Sequence, residues 1–282
     1  MRYFFLRFPD GKEKAVTFSY DDGCPEDIRT ADVLTQYGMK GTFNFTGQPR
    51  VSDEDVQEHF FDCGHEIAVH GMHHRAEGDQ RPIQGIRDVL DCRLALEKRY
   101  NRIIRGMAYP DSGIRRFSNG AEYENIKRYL QDLDIAYART LGGDNNRFDL
   151  PTDWHAWMPT AHHNQPEIMN YIREFLALDV DESYGSHRFP RLFYIWGHSF
   201  EFERDNNWDR LTEICEALSG KENIWYATNM EIYEYVEAYH ALVFSADETK
   251  IYNPTLHTVW INIDGETYKI ASGETLEIKE NA

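Results

Sequence analysis

The sequence predicts an α/β protein built on a parallel sheet that closes far enough to form a barrel, with a small β-rich appendage at its end. Three observations lead there. Short β-prone runs alternate with helical segments of ten or more residues, the pattern of repeated βα units. At least six such units fit before residue 230, which favours a barrel over a small open sheet. The last forty or so residues then lose helical spacing and read as short strands joined by turns. The expected division is a barrel over 1–240 and a β-rich module over 241–282.

The elements follow in order. Met1 to Phe8 reads as a first strand ended by the Asp10-Gly11 turn, and Ala15–Tyr20 as a second strand stopped by Asp21-Asp22-Gly23. Asp27–Tyr37 has Ile28, Ala31, Val33 and Leu34 roughly at helical spacing, with Gly38 placed as a C-terminal cap. Gly41–Phe45 is the next strand, Val51–Cys63 a helix, and Glu66–Val69 a strand that delivers the chain to His70. Ile83–Tyr100 is a long helix, Ile103–Ala108 a strand, Glu122–Asp132 a helix and Ala136–Arg139 a strand. Gln165–Leu178 reads as helix, Arg191–Trp196 as a strongly apolar strand ending near His198, and Trp208–Leu218 as a helix. Strands are expected at 242–245, 250–253, 258–263, 267–270 and 275–278, with Asp264-Gly265 and Ser272-Gly273 among the turns.

Composition narrows the function. Lys and Arg number 30 against 48 Asp and Glu, a net charge of −18, the wrong sign for a free-standing nucleic-acid binder. No apolar run approaches the roughly 20 residues that span a bilayer. The N-terminus lacks a secretory leader's apolar region and cleavage site, so a cytoplasmic location is expected if Met1 is the native start. Cys24, Cys63, Cys92 and Cys215 are widely spaced and read as buried thiols. The oligomeric state is not readable here.

The polar residues that matter fall just after predicted strands. Asp21-Asp22, His70 and His198 all do so, and in parallel α/β proteins those strand ends converge on one face. Paired acids can divide labour, one holding a cation and the other acting as a base, although Asp-Asp-Gly is also ordinary turn chemistry. His70-Gly71-Met72-His73-His74 tips the balance. His70 and His74 stand at i and i+4, one helical turn apart, and two imidazoles with a carboxylate leave a metal ion open to water and substrate.

Thr17-Phe18-Ser19-Tyr20-Asp21-Asp22-Gly23 resembles the first motif of the polysaccharide deacetylases, carbohydrate esterase family four. His70 to His74 resembles their second, with Gly71 in the place of the usual Ser or Thr. The resemblance runs from about residue 14 to about 230 and implies an irregular (β/α) barrel carrying one divalent metal, typically zinc. It implies Asp22, His70 and His74 as metal ligands, Asp21 as the base acting on a metal-bound water, and an acetylated carbohydrate as substrate.

Later motifs match in altered form. Arg105, ahead of Ala108-Tyr109-Pro110, either holds Asp21 or is a surface strand-end residue, and Tyr109 is the expected pocket residue. Asp153 is the candidate to orient the catalytic histidine, with an exposed loop acid as its alternative, and Trp154 and Trp157 compete as wall residues. Gly197-His198 stands where the family has Leu-His. His198 is the expected general acid, the alternative being a strand-end histidine bonded to backbone, and Trp196 is either an acyl-pocket or a core aromatic. His162 and His163 have no counterpart in the template. The expected function is metal-dependent removal of acetyl groups from N- or O-acetylated sugars. Hydrolysis of small amides or formamides at the same centre and non-catalytic carbohydrate binding are the alternatives.

Overall fold

A computed structural model describes residues 2–141, 147–180 and 188–278. Its centre is an all-parallel sheet. In chain order the strands are β2 (Lys14–Asp21), β3 (Gly41–Phe45), β4 (Glu66–Val69), β5 (Gly106–Ala108), β6 (Tyr137–Arg139), β7 (Ala161–His162), β8 (Arg191–Gly197) and β9 (Ile224–Tyr226). The spatial order is β6-β5-β4-β3-β2-β8-β7, with β9 paired to the first residues of β2. No ladder joins β6 to β7 among the described residues, so the sheet curls into an incomplete barrel. A single parallel bridge, Arg139 to Trp157, reaches across the gap.

Helices cover the outside: α1 (Glu26–Gln36), α2 (Asp53–Asp55), α3 (Pro82–Tyr100), α4 (Tyr123–Asp132), α5 (Ile168–Ala177), α6 (Ser199–Arg204), α7 (Trp208–Leu218) and α8 (Asn229–His240). The helix expected over 51–63 starts with Ser52 capping Asp55 and passes after Asp55 into a wider π-helical stretch, Val56–Phe61. Its Phe60 ring meets Phe43 edge-on, 4.6 Å between centroids.

Alternation along β2 explains the layering. Val16, Phe18 and Tyr20 point outward into a core shared with α1, α7 and the neighbouring strands. Ala15, Thr17, Ser19 and Asp21 lie on the other face, toward the barrel interior, because successive strand side chains alternate. That interior holds Tyr137, Trp157, Leu192 and Tyr194, with Trp157 packed edge-on between Tyr137 and Tyr194 at 5.3 and 5.0 Å. Every residue of β2 is buried, as a parallel strand covered on both faces requires. The inner row ends at Asp21, so a charged residue is carried to the mouth of the barrel by strand period alone.

The tail strands are β10 (Val243–Phe244), β11 (Lys250–Tyr252), β12 (Val259–Ile263), β13 (Glu266–Ile270) and β14 (Thr275–Glu277). They form two small sheets, β10-β11-β14 and one in which β12 and β13 take β1 (Phe4–Arg7) as third strand. β1 runs antiparallel to β12, Phe4 facing Ile263 and Arg7 facing Trp260. The first strand of the chain therefore belongs to the C-terminal layer. Tyr235 ties the layers together: its hydroxyl donates to the Arg7 carbonyl at 2.8 Å and accepts from the Trp260 amide at 3.0 Å.

Candidate metal centre and catalytic groups

Asp21 is 1% exposed, and its hydrogen-bond partners come from two strands. Arg139, last residue of β6, donates from Nη2 to Oδ2 at 2.5 Å, and Asn44 of β3, in register with Asp21, donates from Nδ2 to Oδ1 at 2.8 Å. Burial by itself would push the Asp21 carboxyl up, but the Arg139 guanidinium, with lesser help from His70 and His198, outweighs it. The carboxyl is held below its ordinary range and is ionised at neutral pH. Arg139 in turn lies over the Trp196 ring, 4.6 Å from the centroid, so cation–π contact and ion pair fix it together.

Asp22 is turned the other way. Its φ of 86° and the 65° of Gly23 swing the chain out of β2, and the Asp22 amide caps the Asn44 carbonyl at 3.0 Å. The carboxylate then faces two imidazoles: Oδ1 is 3.6 Å from His70 Nε2 and 3.3 Å from His74 Nε2. Burial would raise the Asp22 carboxyl, yet the hydrogen bond from His74 and the nearby rings bring it down to about 2. The residues between the two histidines are a loop, not the helical turn expected from their spacing. Left-handed Gly71 (φ 72°) and His74 (φ 53°) fold it back, which brings the rings to 4.9 Å.

Gly71 has a steric cause. A Cβ there would lie 2.6 Å from Asp88 Oδ2, and Asp88 holds the loop by accepting from the His73 amide at 3.1 Å and ring Nδ1 at 2.8 Å. The space that Ser or Thr would fill is taken by a carboxylate from α3.

The donor set fits a cation. His70 Nδ1 donates to the Ala108 carbonyl at 2.9 Å, which leaves the Nε2 lone pair pointing at the Asp22 carboxylate. Two acceptors face each other there, and a positive charge between them relieves the repulsion. Asp22, His70 and His74 each offer one ligand atom, all within 4.8 Å of one another, a spacing that can hold a metal ion.

His198 follows β8 and brings Nε2 to 4.0 Å from Asp21 Oδ2, while Nδ1 lies 3.8 Å from Glu201 Oε2. Burial works against a charged ring, but Glu201 first, then Asp21 and Asp22, raise the His198 pKa above its usual value.

Three expected positions fall elsewhere. Arg105 precedes β5, at the opposite end of the sheet from Asp21, and donates from Nη2 to Asp134 Oδ1 at 2.9 Å. The arginine on Asp21 is Arg139. Tyr109 sits at the correct strand end but is wholly buried, its amide donating to the Arg139 carbonyl at 2.9 Å and its hydroxyl to the His155 carbonyl at 2.8 Å. It supports the wall rather than facing a pocket. Asp153 caps the short turn Trp154–Ala156 and accepts from Lys127 at 2.8 Å and Tyr123 at 2.7 Å. The carboxylate next to His198 is Glu201. Both alternative wall residues are placed: Trp157 in the barrel core, and Trp154 donating to Glu237 at 2.9 Å. The strand-end rule that marks Asp21 would also have marked Arg139, the last residue of the strand read at 136–139.

Fold and site together define a curled α/β barrel with a carboxylate–histidine cluster at its mouth. Residues 9–134 match the family model of the polysaccharide deacetylases, so the resemblance carried by the two motifs is shown for the segment that supplies Asp21, Asp22, His70 and His74. Among solved structures the fold is similar to a Mycobacterium smegmatis protein assigned to the polysaccharide deacetylases: 16% identity, TM-score 0.56, covering 83% of this chain and 94% of that one. It is similar to the Xyl-CE4 domain of a multidomain xylanase from the hindgut metagenome of Trinervitermes trinervoides, at 17% identity and TM-score 0.52, covering 80% and 92%. A mutant of the Bacillus subtilis peptidoglycan deacetylase PdaC gives 15% identity and TM-score 0.51, covering 83% and 96%. These likenesses establish the irregular deacetylase-type barrel. Among curated proteins, none matches this sequence. No helix among the described residues is long and apolar enough to cross a membrane.

Proposed function

We propose that this protein is a metal-dependent hydrolase that removes acetyl groups from N- or O-acetylated sugars, with zinc as its ion. The observation that carries the reading is the different employment of two adjacent carboxylates. Asp22 lies 3.6 and 3.3 Å from His70 and His74, while Asp21, 4.0 Å from His70, is anchored by an arginine and an asparagine. A divalent ion held by Asp22, His70 and His74 supplies Lewis acidity toward an acyl carbonyl and acidifies a water.

The chain's own residues do the rest. Asp21, ionised and fixed by Arg139, takes a proton at Oδ2 as a hydroxyl nucleophile forms. His198 carries a proton at Nε2, 4.0 Å from that oxygen, and passes it to the departing amine or alcohol. Glu201 beside Nδ1 favours the protonated ring by raising its pKa. Trp196, on the inner row of β8, forms a wall beside the Arg139–Asp21 pair.

The test is acetate release from a panel of acetylated oligosaccharides, before and after chelation and zinc replacement. Chelator-sensitive release, restored by zinc and lost in Asp21→Asn, is the expected outcome. No release from a zinc-loaded protein overturns the reading; turnover of small amides or formamides would then move the chemistry to that class, and its absence would favour glycan binding.

A further inference from the structure

A second cluster of metal-ligating side chains lies beside the first; of its three members only Glu201 enters the steps above, as the neighbour of His198 Nδ1. Ala161–His162 forms β7 at the edge of the sheet, and α6 begins directly after His198. Together they aim two imidazoles at one carboxylate: His162 Nε2 is 3.1 Å and His163 Nε2 is 3.2 Å from Glu201 Oε2. One ligand atom from each residue lies within 4.8 Å of the other two, as in the Asp22-His70-His74 group. From these donors we infer that His162, His163 and Glu201 bind a second divalent transition-metal ion, next to the first.

Three features support a cation there. The first is distance. A tetrahedral ion with bonds of about 2.1 Å sets its donors about 3.4 Å apart, slightly more than the 3.1 and 3.2 Å approaches to Glu201. The second is an unmet bonding need. His163 is wholly buried and its Nδ1 makes no hydrogen bond among the described residues, while Nε2 and Glu201 Oε2 face each other at 3.2 Å without hydrogen-bond geometry. Buried polar atoms left so require a partner. The third is space made for the ring. A Cβ on Gly197 would lie 2.1 Å from His163 Nδ1, so the glycine that replaces the expected leucine before His198 is what admits the imidazole.

Donor chemistry names the class of ion. Two imidazoles and a carboxylate suit zinc and its neighbours, and leave a coordination position open. His162 is 26% exposed at its side chain and provides the route from solvent. Its Nδ1 accepts from the Asn164 amide at 3.1 Å, so without an ion the proton sits on Nε2 and points at Glu201. Binding would move that proton to Nδ1 and give up two contacts, the Asn164 amide bond to Nδ1 and the Nε2–H contact with Glu201, against three metal–ligand bonds. His198, with Nδ1 beside Glu201 and Nε2 toward Asp21, stands between the two sites.

Zinc stoichiometry tests this without reference to activity. Metal-free protein is loaded with zinc, passed through a desalting column and its bound zinc counted. The parent is expected to hold two ions per chain, and Glu201→Gln and His162→Ala one each. His70→Ala is also expected to hold one, and His70→Ala with Glu201→Gln none. Glu201→Gln preserves shape and His162 is at the surface, so neither depends on removing the buried His163 ring. One ion in the parent, unchanged in Glu201→Gln, overturns the second site, as does a Glu201→Gln protein that still holds two. A His70→Ala protein that keeps two ions while Glu201→Gln keeps one overturns the first centre alone.

Discussion

Adjacent residues acquire opposite tasks here through backbone geometry. Asp21 ends an extended strand and inherits its inward face, whereas Asp22, one peptide later at φ 86°, is turned toward the histidines. Arg139 is what makes the buried Asp21 tolerable, since an ionised carboxylate at that depth is costly when unpaired. Arg139→Met is expected to cost about 3–5 kcal/mol of stability at pH 7, measured by urea unfolding, and to abolish turnover. A second residue predicts a pH effect away from the site. His65 Nδ1 accepts from the Gly41 amide at 2.9 Å, and burial pushes the ring down to about 4. The unfolded chain binds that proton more readily, so stability is full above pH 6.5 and lost as pH falls toward 4. The expected loss is about 3 kcal/mol, and a His65→Gln protein should show a shallower decline over that window in thermal unfolding.

Elements carried most of the legible information. β3 and β4 have the bounds that alternation and flanking turns predict, and α7 spans the predicted Trp208–Leu218. The metal-ligand candidates were legible because they follow such strands. Arg139 was not assigned to Asp21, because strand spacing says nothing of how far a sheet curls, and only the curl brings β6 to the end of β2. β7, two residues long, and β9, three, are too short to carry a period, and they exist through pairing with β8 and β2. α8 did leave a local signal: Thr228 and Glu231 form a capping box. At the end of β8, Gly197→Ala should force the His163 ring aside at a cost of about 1–3 kcal/mol, read as a lowered urea midpoint with an unchanged slope.

At the scale of the whole molecule, one tail sheet takes in the N-terminal strand β1, and hydrogen bonds through Tyr235 of α8 tie that sheet to the barrel's helical layer. The sequence placed residues 1–8 with the barrel, and pairing with β12 places β1 in the tail's sheet, a partnership that no local pattern encodes. Leu6 and Phe8 pack with Tyr235 and Val236 of α8, while Ile261 and Ile263 build the neighbouring cluster. Truncation after His240 should therefore destabilise the barrel as well, since β1 loses its only ladder among the described residues. Calorimetry of the full chain is expected to give one unfolding transition; two well-separated transitions would show that the layers melt independently.

The pairing of β1 with β12 also sets an order of events on the ribosome. Phe4 emerges ahead of its partner Ile263, which follows 263 − 4 = 259 residues later. At bacterial or eukaryotic elongation rates that is a wait of roughly 10–50 seconds. The parallel strands and their helices are translated within this interval, while β1 has an open edge and a half-covered apolar face. β12 and β13, made after the barrel, act as a clasp on β1, and the nascent chain depends meanwhile on whatever shields that edge.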